Sequence, residues 1–135
     1  MDIVSRQRIN LLIQLADLSP DNVSSPGLII IKRVAKECNF SLLELNQLLK
    51  EPEPIGTFGA LSPNQKREYV YNIGELMLLV KLTNFKKLLC QKLAYDLGYN
   101  SLQFDELKAK IRSKIKLNDS KLYHQQDLVG INLSA

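Results

Sequence analysis

This 135-residue sequence has one histidine, His124, and two cysteines, Cys38 and Cys90, residue types that readily serve as base and nucleophile. Nucleophilic catalysis needs a nucleophile, a base and an orienting group within reach of one another. His124 falls in a C-terminal stretch of weak periodicity, away from either thiol in sequence. Cys38 and Cys90 fall on apolar helical faces, with no CxxC and no histidine nearby. That pattern predicts buried, reduced thiols acting as small hydrophobes, and it fits a cytoplasmic protein. No G-x-S-x-G, HExxH or P-loop is present, and the six glycines form no phosphate-binding cluster. The expectation is a non-enzymatic protein with no cofactor.

Two further groups of residues can carry chemistry. Asp17 and Asp21, with Asn22 beside them, lie in one loop, and carboxylates in helix-connecting loops can bind divalent metal. The EF-hand pattern is absent, and the same residues suit a helix end and a turn after Pro20. Metal binding at Asp17 and Asp21 is therefore a subordinate reading. The second group is basic: Lys86 and Lys87, then Lys108, Lys110, Arg112, Lys114 and Lys116 along the last strongly periodic helix. A basic rim of this kind can meet nucleic acid, anionic lipid or an acidic protein, or simply keep a helix soluble.

Hydrophobic periodicity places these residues on helices throughout, with no period-two strand signal. The first helix is expected over about residues 4–17. Its apolar residues Ile9, Leu11, Leu12, Ile13, Leu15 and Ala16 surround most of the axis, leaving a narrow polar stripe of Asn10, Gln14 and Asp17. Such a helix is buried on most sides. After a loop over 18–25, Ser25 and Pro26 form an N-cap and first-position pair, and a second helix runs to about Cys38. A third starts after Ser41 and ends near Lys50.

Residues 51–61, EPEPIGTFGAL, break regular structure with two prolines and two glycines. The segments on either side are marginal for independent cores, so the break reads as a loop between packed halves. Ser62, Pro63 and Gln65 then start a fourth helix expected to reach Leu82, with Val70, Ile73, Leu76, Met77, Leu79 and Val80 around its axis. Asn84 is the candidate cap of a fifth helix. A sixth is expected from Ser101 to about Lys116. For residues 117–135 two readings stand: a mobile tail, or a segment packed through Leu122, Leu128, Val129 and Ile131.

One device occurs twice. Residues 34–48, VAKECNFSLLELNQL, recur as 93–107, LAYDLGYNSLQFDEL. Asn39 and Gly98 are residue types that tolerate the left-handed helix end. Ser41 with Glu44, and Asn100 with Gln103, have capping-box spacing. Phe40 with Leu45, and Tyr99 with Phe104, have staple spacing. Leu11–Ala16 also aligns with Glu75–Val80. The fold class that follows is all-α: a single helical bundle of about six to seven helices in two pseudo-repeated halves, with two central buried helices. The domain covers 1–116, followed by the 117–135 segment.

The bulk numbers agree with one ordinary globular unit: 45% hydrophobic, 24% charged, 7% aromatic, net charge +4 and pI near 9.1. The N-terminal MDIVSRQRIN has no apolar signal region, and the most apolar stretch, 73–82, is too short and polar to span a membrane.

Two resemblances bear on function. Leu93, Ala94, Leu97-Gly98-Tyr99, Phe104 and Leu107 occupy the core and turn positions of a helix-turn-helix, and AYDLGY is similar to the corresponding turn of AraC-type regulators. This implies DNA binding through 93–116. Against it, the exposed start of the second helix carries Asp105 and Glu106, which would face phosphates.

The second resemblance covers about residues 9–116. Ala16-Asp17, Val23, Val34-Ala35, Cys38-Asn39-Phe40 and Leu45, with Leu93-Ala94, Leu97-Gly98-Tyr99 and Phe104, resemble the TerB-like family of tellurite-resistance TerB and the DjlA N-terminal domain. The resemblance implies two helical halves with the long first helix of each buried centrally, and a stress-associated or protein-interaction role. Leu18 stands where the family has glycine, Ser25-Pro26-Gly27 where it often has an acidic residue, and Lys81-Leu82-Thr83-Asn84 where further acidic residues are expected. The family's metal-binding role is thus implied only at Asp17 and Asp21. A protein partner is expected, with nucleic acid as the alternative; the oligomeric state stays open.

Overall fold

In a computed structural model the described residues are 3–18 and 25–129, with the side chains of Ser25 and 118–129 outside the description. Six helices follow in order: α1 (Ile3–Leu15), α2 (Ser25–Glu37), α3 (Leu42–Lys50), α4 (Pro63–Leu79), α5 (Asn84–Asp96) and α6 (Ser101–Val129). Among the described residues there is no strand.

The helix ends follow from their sequences. Ser62 accepts the Gln65 amide (3.1 Å) while Gln65 accepts the Ser62 amide (2.8 Å), a complete capping box with Pro63 in the first turn of α4. Asn100 and Gln103 close the same reciprocal pair at the start of α6, at 2.9 and 3.0 Å. At α3 only the forward arm forms: Ser41 accepts the Glu44 amide (3.1 Å), and its hydroxyl then donates to the Glu44 carboxylate (3.1 Å). Thr83, rather than Asn84, caps α5, accepting the Lys86 amide.

Three helices stop in one way. The Leu18, Phe40 and Tyr99 amides reach back to the carbonyls of Ile13, Ala35 and Ala94, while Asp17, Asn39 and Gly98 donate to Gln14, Lys36 and Tyr95. These are Schellman ends. Each needs a left-handed residue, and Asp17 (φ 55°), Asn39 (φ 56°) and Gly98 (φ 99°) supply it. The apolar residue that follows each one, Leu18, Phe40 or Tyr99, packs on the core.

α1 packs against α2, α3, α4 and α5, and α4 against α1, α2, α5 and α6. Ile9, Ile13 and Leu15 of α1 and Val70, Ile73 and Leu76 of α4 are fully enclosed. The Tyr69 hydroxyl crosses from α4 to donate to the Val4 carbonyl (2.6 Å). Gly74 lets α6 approach closely, since a Cβ there would lie 2.9 Å from Ile111 Cδ1.

Two expectations for these helices need correction. α4 ends at Leu79, not near Leu82; Met77 is half-buried and Leu79 is exposed. The rest of its enclosed circumference is Tyr69, Asn72, Gly74 and Glu75, so polar residues occupy core positions. α6 does not stop near Lys116 but continues to Val129. No glycine or proline lies between Ser101 and Val129, and Gly130 is the first residue that favours an end. Packing through Leu122, Leu128, Val129 and Ile131 concerns side chains outside the description.

Of the polar stripe expected on α1, Asn10 and Gln14 are turned into the protein, while Asp17 is exposed beside Lys86. Arg6, Asn10 and Gln14, one turn apart on one face, all grip Glu53 in the 51–61 loop. Asn10 Nδ2 donates to the Glu53 carbonyl (2.9 Å), and the Glu53 amide donates to Asn10 Oδ1 (2.8 Å). Gln14 Nε2 donates to the same carbonyl. Arg6 holds the Glu53 carboxylate through Nε (2.9 Å) and Nη2 (2.7 Å). These hydrogen bonds keep the Glu53 carboxyl below its ordinary 4.5 and raise the Arg6 guanidinium.

Two measurements check this architecture. Leu12→Ala, at a 1% exposed site, should cost about 2–5 kcal/mol in denaturant unfolding, and Met77→Ala less; a Leu12 loss below ~1 kcal/mol would place α1 at the surface. Because the Glu53 carboxyl is depressed, its stabilisation is present above the ordinary 4.5 and is lost as pH falls toward the depressed value. Glu53→Gln should therefore flatten the acid limb of the stability curve, by a modest amount because the pair is partly solvated. An unchanged acid limb would show that the clamp rests on Asn10 and Gln14 alone.

Candidate functional site

The opposite edge of α1 builds a second polar assembly with α2 and α4. Arg8 Nε donates to Asn72 Oδ1 (2.8 Å), and Asn72 Nδ2 donates to Glu75 Oε1 (2.8 Å). Arg33 of α2 donates to the same Glu75 oxygen. Glu37, one turn on from Arg33, lies 3.8 Å from it and 3.9 Å from Arg8. Asn72 and Glu75 are 2% and 5% exposed. A buried carboxylate is tolerable only with such partners. The bond to Glu75 raises the Arg33 guanidinium above its ordinary value, against the opposing effect of burial.

This assembly forms the inner wall of an open cleft of about 520 Å³ between α2, α4 and α6. The outer wall is Arg67, Glu68 and Tyr71 of α4 with Lys114 and Ile115 of α6, and Leu79 lies at the far end of α4. Lys114 Nζ sits 5.6 Å from the centre of the Tyr71 ring, in cation–π range. Arg67 is held by Asn64 (2.9 Å). The lining carries four cations against three carboxylates.

A second exposed feature lies on α5. Phe85, Leu88 and Tyr95 are 71%, 65% and 69% exposed. Their spacing puts them on one outer stripe together with Lys92. Beside this helix, the 55–59 loop leaves a shallow groove of about 420 Å³ lined by Ile55, Phe58, Lys66, Lys92, Leu93 and Asp96. Lys92 pairs with Asp96 one turn away (3.0 Å).

The residues singled out in the sequence are dispersed by the fold. Lys86 is turned inward, donating to the Gln14 carbonyl (2.7 Å) and lying 3.1 Å from Asp17. Lys108 is half-buried, over the Phe104 ring at 4.8 Å and beside Asp105 at 3.4 Å. Lys114 belongs to the cleft, while Lys87, Lys110, Arg112 and Lys116 are exposed. Of the two carboxylates suggested for metal, Asp17 faces the Lys86 ammonium and Asp21 lies outside the described residues. Among the described residues no group of three or more His, Cys, Asp or Glu is placed to hold a metal ion. The side chain of His124 is also outside the description.

Arg8, Arg33, Asn72 and Glu75 did not stand out in the sequence. The available signal was Asn72 and Glu75 three apart inside a helix otherwise apolar around its axis. A carboxylate at such a position requires a buried cation or donor, and the partners come from residues more than thirty positions away.

Both cysteines are free; Cys90 is fully enclosed and Cys38 half-buried. Burial pushes the Cys90 thiol up to about 11, partly offset by Lys86 and Lys108. Cys90 is therefore a protonated core residue at neutral pH, in line with the inert thiol expected. An alkylating reagent followed by peptide mass spectrometry should modify Cys38 first and Cys90 only on unfolding. Early modification of Cys90 would mean that the α5 contact with the core opens readily.

Comparison of the chain with protein-family models, with curated proteins and with solved structures finds no match.

Proposed function

We propose that this chain is a non-enzymatic, TerB-like helical module of two related halves, acting in the cytoplasm by holding a protein partner. The halves are supported by the common Schellman closure of α2 and α5 and by the Asn100–Gln103 and Ser41–Glu44 caps that follow them. α1 and α4, each packed against four other helices, are the central pair. A stress-associated setting follows from the family resemblance.

The observation that carries the binding role is the outer stripe of α5. Phe85, Leu88 and Tyr95 are exposed on a helix whose other side is fully used by the core residues Cys90, Leu93 and Ala94. Exposed apolar residues grouped on one element mark interaction surfaces more often than scattered ones do. The partner segment is an amphipathic helix with apolar anchors at i, i+3 and i+7 and acidic flanks. Its anchors fit the stripe and the adjoining groove, and its acidic residues complement Lys66, Lys87 and Lys92.

DNA binding through residues 93–116 is the second reading. Its support is the exposed set Lys110, Arg112 and Lys116 on α6. Lys86 and Lys108 contribute little to such a surface, since both are engaged within the protein.

The test is capture from native cells by the wild-type chain and by Phe85→Asp/Leu88→Asp, followed by reconstitution with the purified partner. The double variant should keep its melting temperature and lose at least about tenfold in affinity, about 1.4 kcal/mol. A partner bound equally by both proteins would remove α5 as the surface. Salt-sensitive binding to duplex DNA, abolished by Lys110→Glu/Arg112→Glu, would favour the second reading.

A further inference from the structure

The cleft between α2, α4 and α6 has the dimensions of a small-molecule site, at about 520 Å³; such sites typically span roughly 300–1,000 Å³. Its inner wall is electrically complete, because Arg33 is matched by Glu75. The outer wall is not. Arg67 and Lys114 have no carboxylate partner among the described residues, and Glu68 is the one acidic group lining that side. An excess positive charge therefore stands next to the ring of Tyr71, whose face already attracts Lys114.

We propose that this cleft binds a small organic anion, a phosphate or carboxylate carried on a planar ring. The anionic group takes Arg67 and Lys114 as its donors. Guanidinium presents a planar fork to either anion, and ammonium adds a compact charge. The ring lies beside Tyr71. The paired inner wall keeps its charges engaged and so holds the cleft in shape before the ligand arrives, which limits the ordering cost of binding. This site is separate from the α5 face and does not depend on a protein partner.

Titration of the isotope-labelled chain by NMR tests it, with phenyl phosphate and benzoate as the anionic probes. Benzyl alcohol serves as the neutral ring and inorganic phosphate as the ringless anion. At least one ring-bearing anion should saturate with Kd of about 1 mM or tighter and shift the Tyr71 resonances. Whether phenyl phosphate or benzoate binds better identifies the anion. Arg67→Ala/Lys114→Ala should weaken that probe at least about tenfold with the melting temperature unchanged, while Lys110→Ala, on α6 but outside the cleft, should not. Absence of binding by both anionic probes would overturn the proposal. So would equal binding of benzyl alcohol or inorganic phosphate, or an unaffected double variant.

Discussion

A helix enclosed on nearly every side cannot leave its polar side chains to water, and this requirement on α1 organises the molecule. Asn10 is 3% exposed, and its amide needs both a donor and an acceptor inside the protein. The Glu53 backbone provides both, and in doing so it fixes the one segment that prolines and glycines keep out of regular structure. Gln14 and Arg6 reinforce the attachment from the turns on either side. Among the described residues no buried side-chain nitrogen or oxygen lacks a partner. The core is therefore an interlocked set of apolar packing and polar bonds, and neither part can be changed independently.

The same requirement on the other edge of α1 creates the cleft. Arg8 needs an acceptor and finds Asn72; Asn72 in turn orients Glu75, and Glu75 draws Arg33 across from α2. Charged groups that would be costly alone are tolerable as a chain. The chain reaches the surface between α2, α4 and α6 and forms the wall of an open concavity. α5 turns Lys86 inward to the Gln14 carbonyl and Asp17 and otherwise meets no such demand. Its inner residues complete the core and its outer ones are left to solvent, so the two exposed features have different physical origins.

Local chemistry was readable from the sequence, and long-range chemistry was not. The caps at Ser62 and Asn100 and the left-handed Asn39 and Gly98 involve partners within a few residues, so spacing suffices to find them. The burial of α1 was readable because apolar residues surround its axis. What its polar stripe binds was not, because Glu53 lies beyond two intervening helices. Lys86 and Lys108 looked like members of a basic rim. Composition cannot distinguish a solvated lysine from one that reaches a carbonyl or lies over a ring. Glu75 looked like an interruption of an apolar run, whereas it is the centre of a network. Weak periodicity after Lys116 suggested a helix end, but periodicity reports burial and not helicity, and residues 117–129 contain nothing that breaks a helix.

The hydrogen bonds of α1 also bear on the order in which the chain can fold. Its side chains and carbonyls pair with residues 43, 64, 65 and 72 positions away. Contacts of such separation carry a large loop-closure entropy and slow the search for the native state. During synthesis α1 precedes every one of those partners, and its native cover is complete only once α5 has emerged. α1 is thus made before every element it packs against and is fully enclosed only late, and over that interval its apolar residues are open to off-pathway association.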